Sequence, residues 1–180
     1  CWVQQQMVVE VGWTPVIGYD PRVGAPKRVH PSAVVVNFNE GLDFPTLHPV
    51  FPMEFVWLYA PRLAFWHSDL IVRPDTMRKI VSMFERMANG ETIAVEPALA
   101  WSRIWSKYKR RYWELIGCTT RDASQNQFER GSGWWRHIQE HPNCPPGERA
   151  ERSKYFWDHG VGIRYWARNY GGSVTTVPER

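Results

Sequence analysis

In the segment RLAFWHSDLIVR, residues 62–73, an apolar run stops for His67, Ser68 and Asp69 and then resumes. Strand alternation places His67 and Asp69, two apart, on one face and Ser68 on the other. An imidazole beside a carboxylate is a ligand pair for a divalent metal, and neither group is buried cheaply without a partner. The bland alternative is a hydrogen-bonded pair that stabilises a turn at a strand end. A second pair, Asp158 and His159, stands at the entrance of an expected helix that carries Ile163, Tyr165, Trp166 and Tyr170 and closes at Gly171-Gly172. Glu96 and Asp122 are candidate bases for activating a hydroxyl, although their spacing does not distinguish them from other carboxylates. His30, His48, His137 and His141 read as ordinary loop or surface residues. Gly131 and Gly133 flank a flexible stretch just before Trp134 and Trp135, whose rings are either delivered to a surface for stacking or wedged into the core.

Several elements must position these groups. Pro15 to Tyr19 and Ala33 to Phe38 read as strands, with a Pro- and Gly-containing loop over 20–32 and another over 39–52. Met53 to Ala60 suits a short helix stopped by Pro61, and the strand around Leu63 to Trp66 follows. Pro74-Asp75 begins a helix with Met77, Ile80, Val81, Phe84, Met87 and Ala88 on one face, and Asn89-Gly90 supplies a stop. Thr92 to Glu96 is the next strand, cut by Pro97. Strand, helix, strand at this spacing is the grammar of a parallel α/β sheet, in which ligands sit beyond the carboxyl ends of the strands. His67, Ser68 and Asp69 fall at such an end.

The second half is richer in Trp, Arg and Gly. Trp101 to Trp113 places Trp101, Ile104, Trp105, Tyr108 and Tyr112 at helical spacing, with Lys107, Lys109, Arg110 and Arg111 elsewhere. The spacing predicts an amphipathic helix with a basic outer face. Aromatic residues interleaved with bases would also suit single-stranded nucleic acid, and the bases could equally neutralise a diphosphate. A helix over 122–129 and a loop over 142–149 complete the pattern.

The 180 residues, 43% of them apolar, predict one domain, with a sheet-rich half over 1–97 and a helical, loop-rich half over 98–180. The apolar stretches fall far short of the roughly 20 residues of a membrane span. A net charge of +4 and a pI near 9.1 suit an anionic partner such as a phosphate-bearing molecule without singling out nucleic acid. Cys1, Cys118 and Cys144 have no paired spacing, which indicates neither a disulfide framework nor a zinc cluster and favours a cytoplasmic setting. The chain begins at Cys1, as expected of a fragment or a processed chain. No GxGxxG, P-loop, HExxH or GxSxG occurs, which removes the usual sequence support for dinucleotide binding, P-loop phosphoryl transfer, zinc proteolysis and α/β-hydrolase chemistry.

LAFWHSDLIV resembles the strand that carries the Asp-x-Asp motif in glycosyltransferases of the GT-A fold, with His67 in place of the first Asp and Asp69 matching the second. The similarity extends over about residues 33–96. It implies an α/β fold with a mainly parallel sheet flanked by helices, beside the irregular aromatic-rich C-terminal half read above, and either an N-terminally incomplete chain or a nucleotide held in an abbreviated way. It implies a divalent cation, manganese or magnesium, held by Asp69 with His67 and a late histidine, His159. His67, Ser68 and Asp69 would contact the diphosphate of a nucleotide-sugar donor, and Trp134 and Trp135 would line the site of a carbohydrate or lipid-linked acceptor. The competing class is a non-enzymatic Trp-rich module binding carbohydrate or single-stranded nucleic acid, in which both His/Asp pairs are structural.

Overall fold

The computed structural model describes residues 2–37, 51–67, 70–96, 111–155 and 158–178 and shows an α/β protein with two sheets. In chain order the elements are α1 (Trp2–Glu10), β1 (Val16–Tyr19), β2 (Val34–Asn37), α2 (Phe51–Glu54), α3 (Val56–Tyr59), β3 (Arg62–Trp66), α4 (Pro74–Glu85), β4 (Glu91–Glu96), β5 (Trp113–Thr120), α5 (Arg121–Glu129), α6 (Arg149–Arg152), α7 (Val161–Asn169) and β6 (Ser173–Pro178). The backbone divides into two compact units, Cys1–Pro52 with Ser68–Arg86, and Met53–His67 with Met87–Arg180. The first half of the sequence contributes to both. Among the described residues no helix is long and apolar enough to cross a membrane.

In the first unit β1 and β2 form a parallel pair, with Val16 opposite Val34 and Tyr19 opposite Asn37. Gln5, a buried polar residue of α1, ties down the loop ahead of β2: its amide donates to the Arg28 carbonyl at 3.3 Å and accepts from the His30 N–H at 2.7 Å. α4 starts on Pro74, whose missing N–H is harmless in a first helical turn, and buries Met77, Val81 and Phe84 at the expected spacing. The helix ends at Glu85, ahead of the Asn89-Gly90 stop. Gly90, at φ 80°, instead makes the turn into β4.

The second unit holds a mixed four-stranded sheet in the order β3-β5-β4-β6, in which β5 is antiparallel to both neighbours and β4 and β6 are parallel. The expectation of a mainly parallel sheet therefore holds only in part. β3 and β4 do run the same way, as a strand-helix-strand unit requires, but β5 lies between them. Sequence reading missed β5 because Tyr112, just ahead of it, completes an apparent helical spacing. In the structure Tyr112 lies outside any helix and Trp113 opens the strand, while residues 101–110 lie outside the described residues.

Register sorts the side chains of this sheet by face. Phe65 is opposite Gly117, and Thr119 is opposite both Leu63 and Thr92, so these share one face. Gly117 is required there, because a Cβ would lie 2.3 Å from the Phe65 ring. α5 docks on this face through a buried polar chain, Gln127 Nε2 donating to Thr92 Oγ1 at 2.8 Å and Thr92 Oγ1 meeting Thr119 Oγ1 at 3.0 Å. α7 is linked to α5 by the Trp166 indole N–H, which donates to Asn126 Oδ1 at 2.8 Å.

A cationic clasp closes the C-terminal part. Arg152 is fully buried, and its guanidinium donates to the carbonyls of Gly131, Ile138 and Arg130 and to the Glu148 carboxylate. Glu148 also accepts from the hydroxyls of Tyr165 and Tyr170 at 3.0 and 2.6 Å. Burial raises the Glu148 carboxyl, but hydrogen bonds from Tyr170, Arg152 and Tyr165, with the Arg152 charge, outweigh it and hold the group below its ordinary 4.5. Burial and the same carboxylate push Tyr165 up to about 12, so the phenol stays a donor. A carboxyl depressed on folding contributes stability above its unfolded value, and that contribution is lost as pH falls through the folded one. Urea unfolding at about pH 7 and about pH 3.5 is therefore expected to show a steeper acid loss for the parent than for Glu148→Gln. Equal losses would remove Glu148 from the acid limb.

Candidate functional site

The end of the four-stranded sheet where β3 and β4 finish and β5 begins gathers most of the residues with chemical potential. The segment just before and within early β5 binds both histidine-bearing turns by backbone hydrogen bonds. The His67 N–H donates to the Leu115 carbonyl at 2.8 Å, and the Tyr112 N–H donates to the Gly160 carbonyl at 3.2 Å. His67 is exposed beyond the end of β3, on the Phe65 side by alternation. Ser68 and Asp69 lie outside the described residues.

The Asp158-His159-Gly160 turn is built closely. Gly160, at φ 76°, caps the start of α7, and a Cβ there would lie 2.1 Å from the Tyr112 carbonyl oxygen. Asp158 Oδ1 accepts the His159 N–H at 2.8 Å, and its Oδ2 lies 2.7 Å from Arg111 Nη1 in a half-buried ion pair. His159 Nδ1 lies 3.3 Å from the Trp134 carbonyl oxygen. A carbonyl can only accept, so Nδ1 carries a proton; in the neutral ring the lone pair is then on Nε2, the arrangement of a metal-ligating histidine whose other nitrogen is fixed by backbone.

Two guanidiniums frame this turn. Arg111 stands over the Trp113 ring at 5.5 Å, and Arg164 of α7 stands over the Tyr112 ring at 5.5 Å, with its Nη1 3.9 Å from Glu96 Oε1. The two arginines and the carboxylates of Asp158 and Glu96 balance in charge. Sequence reading named Arg111 only as one base of an expected helix and missed Tyr112 and Arg164 as site neighbours, because contacts between distant segments bring these residues together.

The other expected site residues divide. Asp122 is exposed in the first turn of α5, past the far end of β5, and so roughly 17 Å of strand, from Leu115 to Thr120, separates it from the level of His67. It therefore lies away from the end of the sheet that carries His67 and Glu96. Trp134 is fully buried, edge-on to Phe65 with centroids 4.7 Å apart, which leaves no ring face for an acceptor. Trp135 is half-buried, edge-on to His141 at 5.2 Å.

His141, expected at the surface, is instead wholly buried, with its Nε2 2.9 Å from Glu54 Oε1. Its Nδ1 accepts the Asn143 N–H at 3.0 Å, which puts the ring proton on Nε2, where it donates to Glu54. Both nitrogens are thereby committed, so buried Ser132 nearby in sequence gains no general base and no serine triad forms. The pair is separated by 87 positions, and no local spacing announces it. The buried thiols Cys118 and Cys144 offer no nucleophile either; burial pushes Cys118 up to about 12.

No family model, curated protein or solved structure matches the chain. Among the described residues no three His, Cys, Asp or Glu side chains converge as a metal cage. The two imidazoles at this end, His67 and His159, suit a borderline divalent ion, and a carboxylate would complete a set.

Proposed function

We propose that the protein is a GT-A-like glycosyltransferase, moving a sugar from a nucleotide-sugar donor to a hydroxyl of a carbohydrate or lipid-linked acceptor at this end of the sheet. The observation that carries the proposal is the attachment of both histidine turns to one short stretch, His67 to Leu115 and Gly160 to Tyr112, which brings two segments distant in sequence to one end of one sheet. His67 and His159, with Asp69 as the carboxylate, would hold a divalent cation, manganese or magnesium. Such an ion supplies the positive charge that a diphosphate leaving group needs.

The charge balance around the turn supports that need. Arg111 is paired with Asp158 and Arg164 with Glu96, so the framing residues offer a diphosphate little net positive charge of their own. The arginines orient, and the ion neutralises. Glu96 is the carboxylate at this end that remains a candidate base, and Trp135 keeps surface for an acceptor where Trp134 does not.

Removing a proposed ligand tests the reading. His159→Ala is expected to weaken manganese-dependent binding of UDP or GDP by at least the roughly 10- to 100-fold that even the outer partners of metal ligands are worth. Isothermal titration with circular dichroism as a folding control measures it. A folded His159→Ala protein that binds metal and nucleotide like the parent would remove His159 from the site. Steeply salt-dependent binding to a single-stranded oligonucleotide, without a metal requirement, would favour the binding-module alternative.

A further inference from the structure

We propose that Gly133 and Gly162 are positioning residues for the His159 ring: they hold the Trp134 carbonyl where it fixes which ring nitrogen carries the proton. The inference deepens the transferase reading by naming what sets up one of its proposed ligands. The geometry behind it does not depend on any ligand.

The contact between His159 Nδ1 and the Trp134 oxygen, at 3.3 Å, is near the long limit of a hydrogen bond. A displacement of a few tenths of an ångström would break it. Without an acceptor at Nδ1, a neutral imidazole reverts to its ordinary preference for a proton on Nε2. The basic nitrogen would then be Nδ1, facing the Trp134 backbone.

The segment that presents this carbonyl is clamped from two sides. On one side, a Cβ on Gly133 would lie 2.3 and 2.5 Å from the two carboxylate oxygens of Glu54. That carboxylate is itself held by His141 Nε2 at 2.9 Å, and the His141 ring is anchored by the Asn143 N–H and by edge contacts with Phe128 and Trp135. On the other side is α7, where a Cβ on Gly162 would lie 2.1 Å from the Gly133 carbonyl oxygen and 2.8 Å from that of Ser132. Trp134 fixes the end of the segment by its buried ring against Phe65. Neither glycine is needed for a left-handed backbone, since neither has a positive φ. Lack of a side chain is what the packing demands of them.

Nitrogen-15 NMR of the full chain labelled at histidine reads the tautomer directly, with His159→Gln used to assign the signals. The parent is expected to show a proton on His159 Nδ1 and a bare Nε2. Gly133→Ala and Gly162→Ala are expected to shift His159 toward the Nε2–H form with the far-ultraviolet circular dichroism retained. Gly147→Ala, at a glycine with open space around it and no positive φ, is expected to leave the His159 signals unchanged. A parent spectrum with the proton on Nε2 would overturn the proposal even if neither glycine variant folds. Folded glycine variants with the parent tautomer would overturn it as well. Because the spectrum requires neither metal nor nucleotide, a parent with the expected tautomer that binds no manganese would sink the transferase reading and leave the positioning role standing.

Discussion

Replacing Arg152 by methionine is expected to destabilise the protein by about 3–5 kcal/mol, the scale for removing one partner from a buried ionic cluster. The side chain is fully buried, and its guanidinium serves the carbonyls of Gly131, Ile138 and Arg130 at once. Methionine fills much of the volume but donates nothing, so these buried acceptors lose their donor. The Glu148 ion pair is the smaller part of the effect, because that carboxylate is 32% exposed and partly screened by solvent. Arg152→Lys should recover little, since a single ammonium cannot reach the acceptors that the planar fork spans. Thermal unfolding followed by circular dichroism should show a fall in Tm of roughly 10 °C. A change within about 2 °C would mean that the clasp contributes little.

Gly160→Ala is expected to have the next largest effect, and to reach the site. Its φ of 76° disfavours any side chain by about 1–2 kcal/mol, and the added methyl would lie 2.1 Å from the Tyr112 carbonyl oxygen. Relief requires the His159 turn to move away from Tyr112, stretching the backbone bond that joins them. Stability should fall by about 2–3 kcal/mol, and metal-dependent nucleotide binding should fall with it. Gly147→Ala, at a glycine with open space around it, is the control and should stay within about 0.5 kcal/mol of the parent. Chemical denaturation of the two variants side by side separates turn geometry from a general intolerance of alanine. Equal stabilities would show that the turn accommodates a side chain.

Local patterns carried far along this chain wherever one element was enough to define them. The Pro74 start and the apolar stripe of α4, the β3 run ending at His67, and the glycine entrance to α7 all follow from neighbours in sequence. What depends on distant partners was not legible. β5 alternates, with Ile116 and Cys118 on the face opposite Gly117 and Thr119, but it directly follows Tyr112, the last residue of an apparent helical spacing, and nothing local says where that period ends. The same ladder that reveals β5 puts Asp122 at the other end of the sheet from His67, and α7 brings Arg164 to Glu96. Trp134 and Trp135 are adjacent and identical in type, yet one is wedged on Phe65 and the other is half-exposed, a difference set by the Glu54 carboxylate and α7 around Gly133. Glu54 and His141 lie 87 residues apart and meet only in the folded core.

The most direct test of the proposed site is a thermal-shift titration of the intact chain with manganese, with UDP or GDP, and with both together. Stabilisation that requires metal and nucleotide jointly, about 2.7 kcal/mol at a hundredfold excess over Kd, is the result expected if His67, Asp69 and His159 hold an ion against a diphosphate. The same joint response should be lost in Asp69→Ala. Stabilisation by nucleotide without metal, or an Asp69→Ala protein that responds like the parent, would contradict a metal-assisted transferase at this end of the sheet.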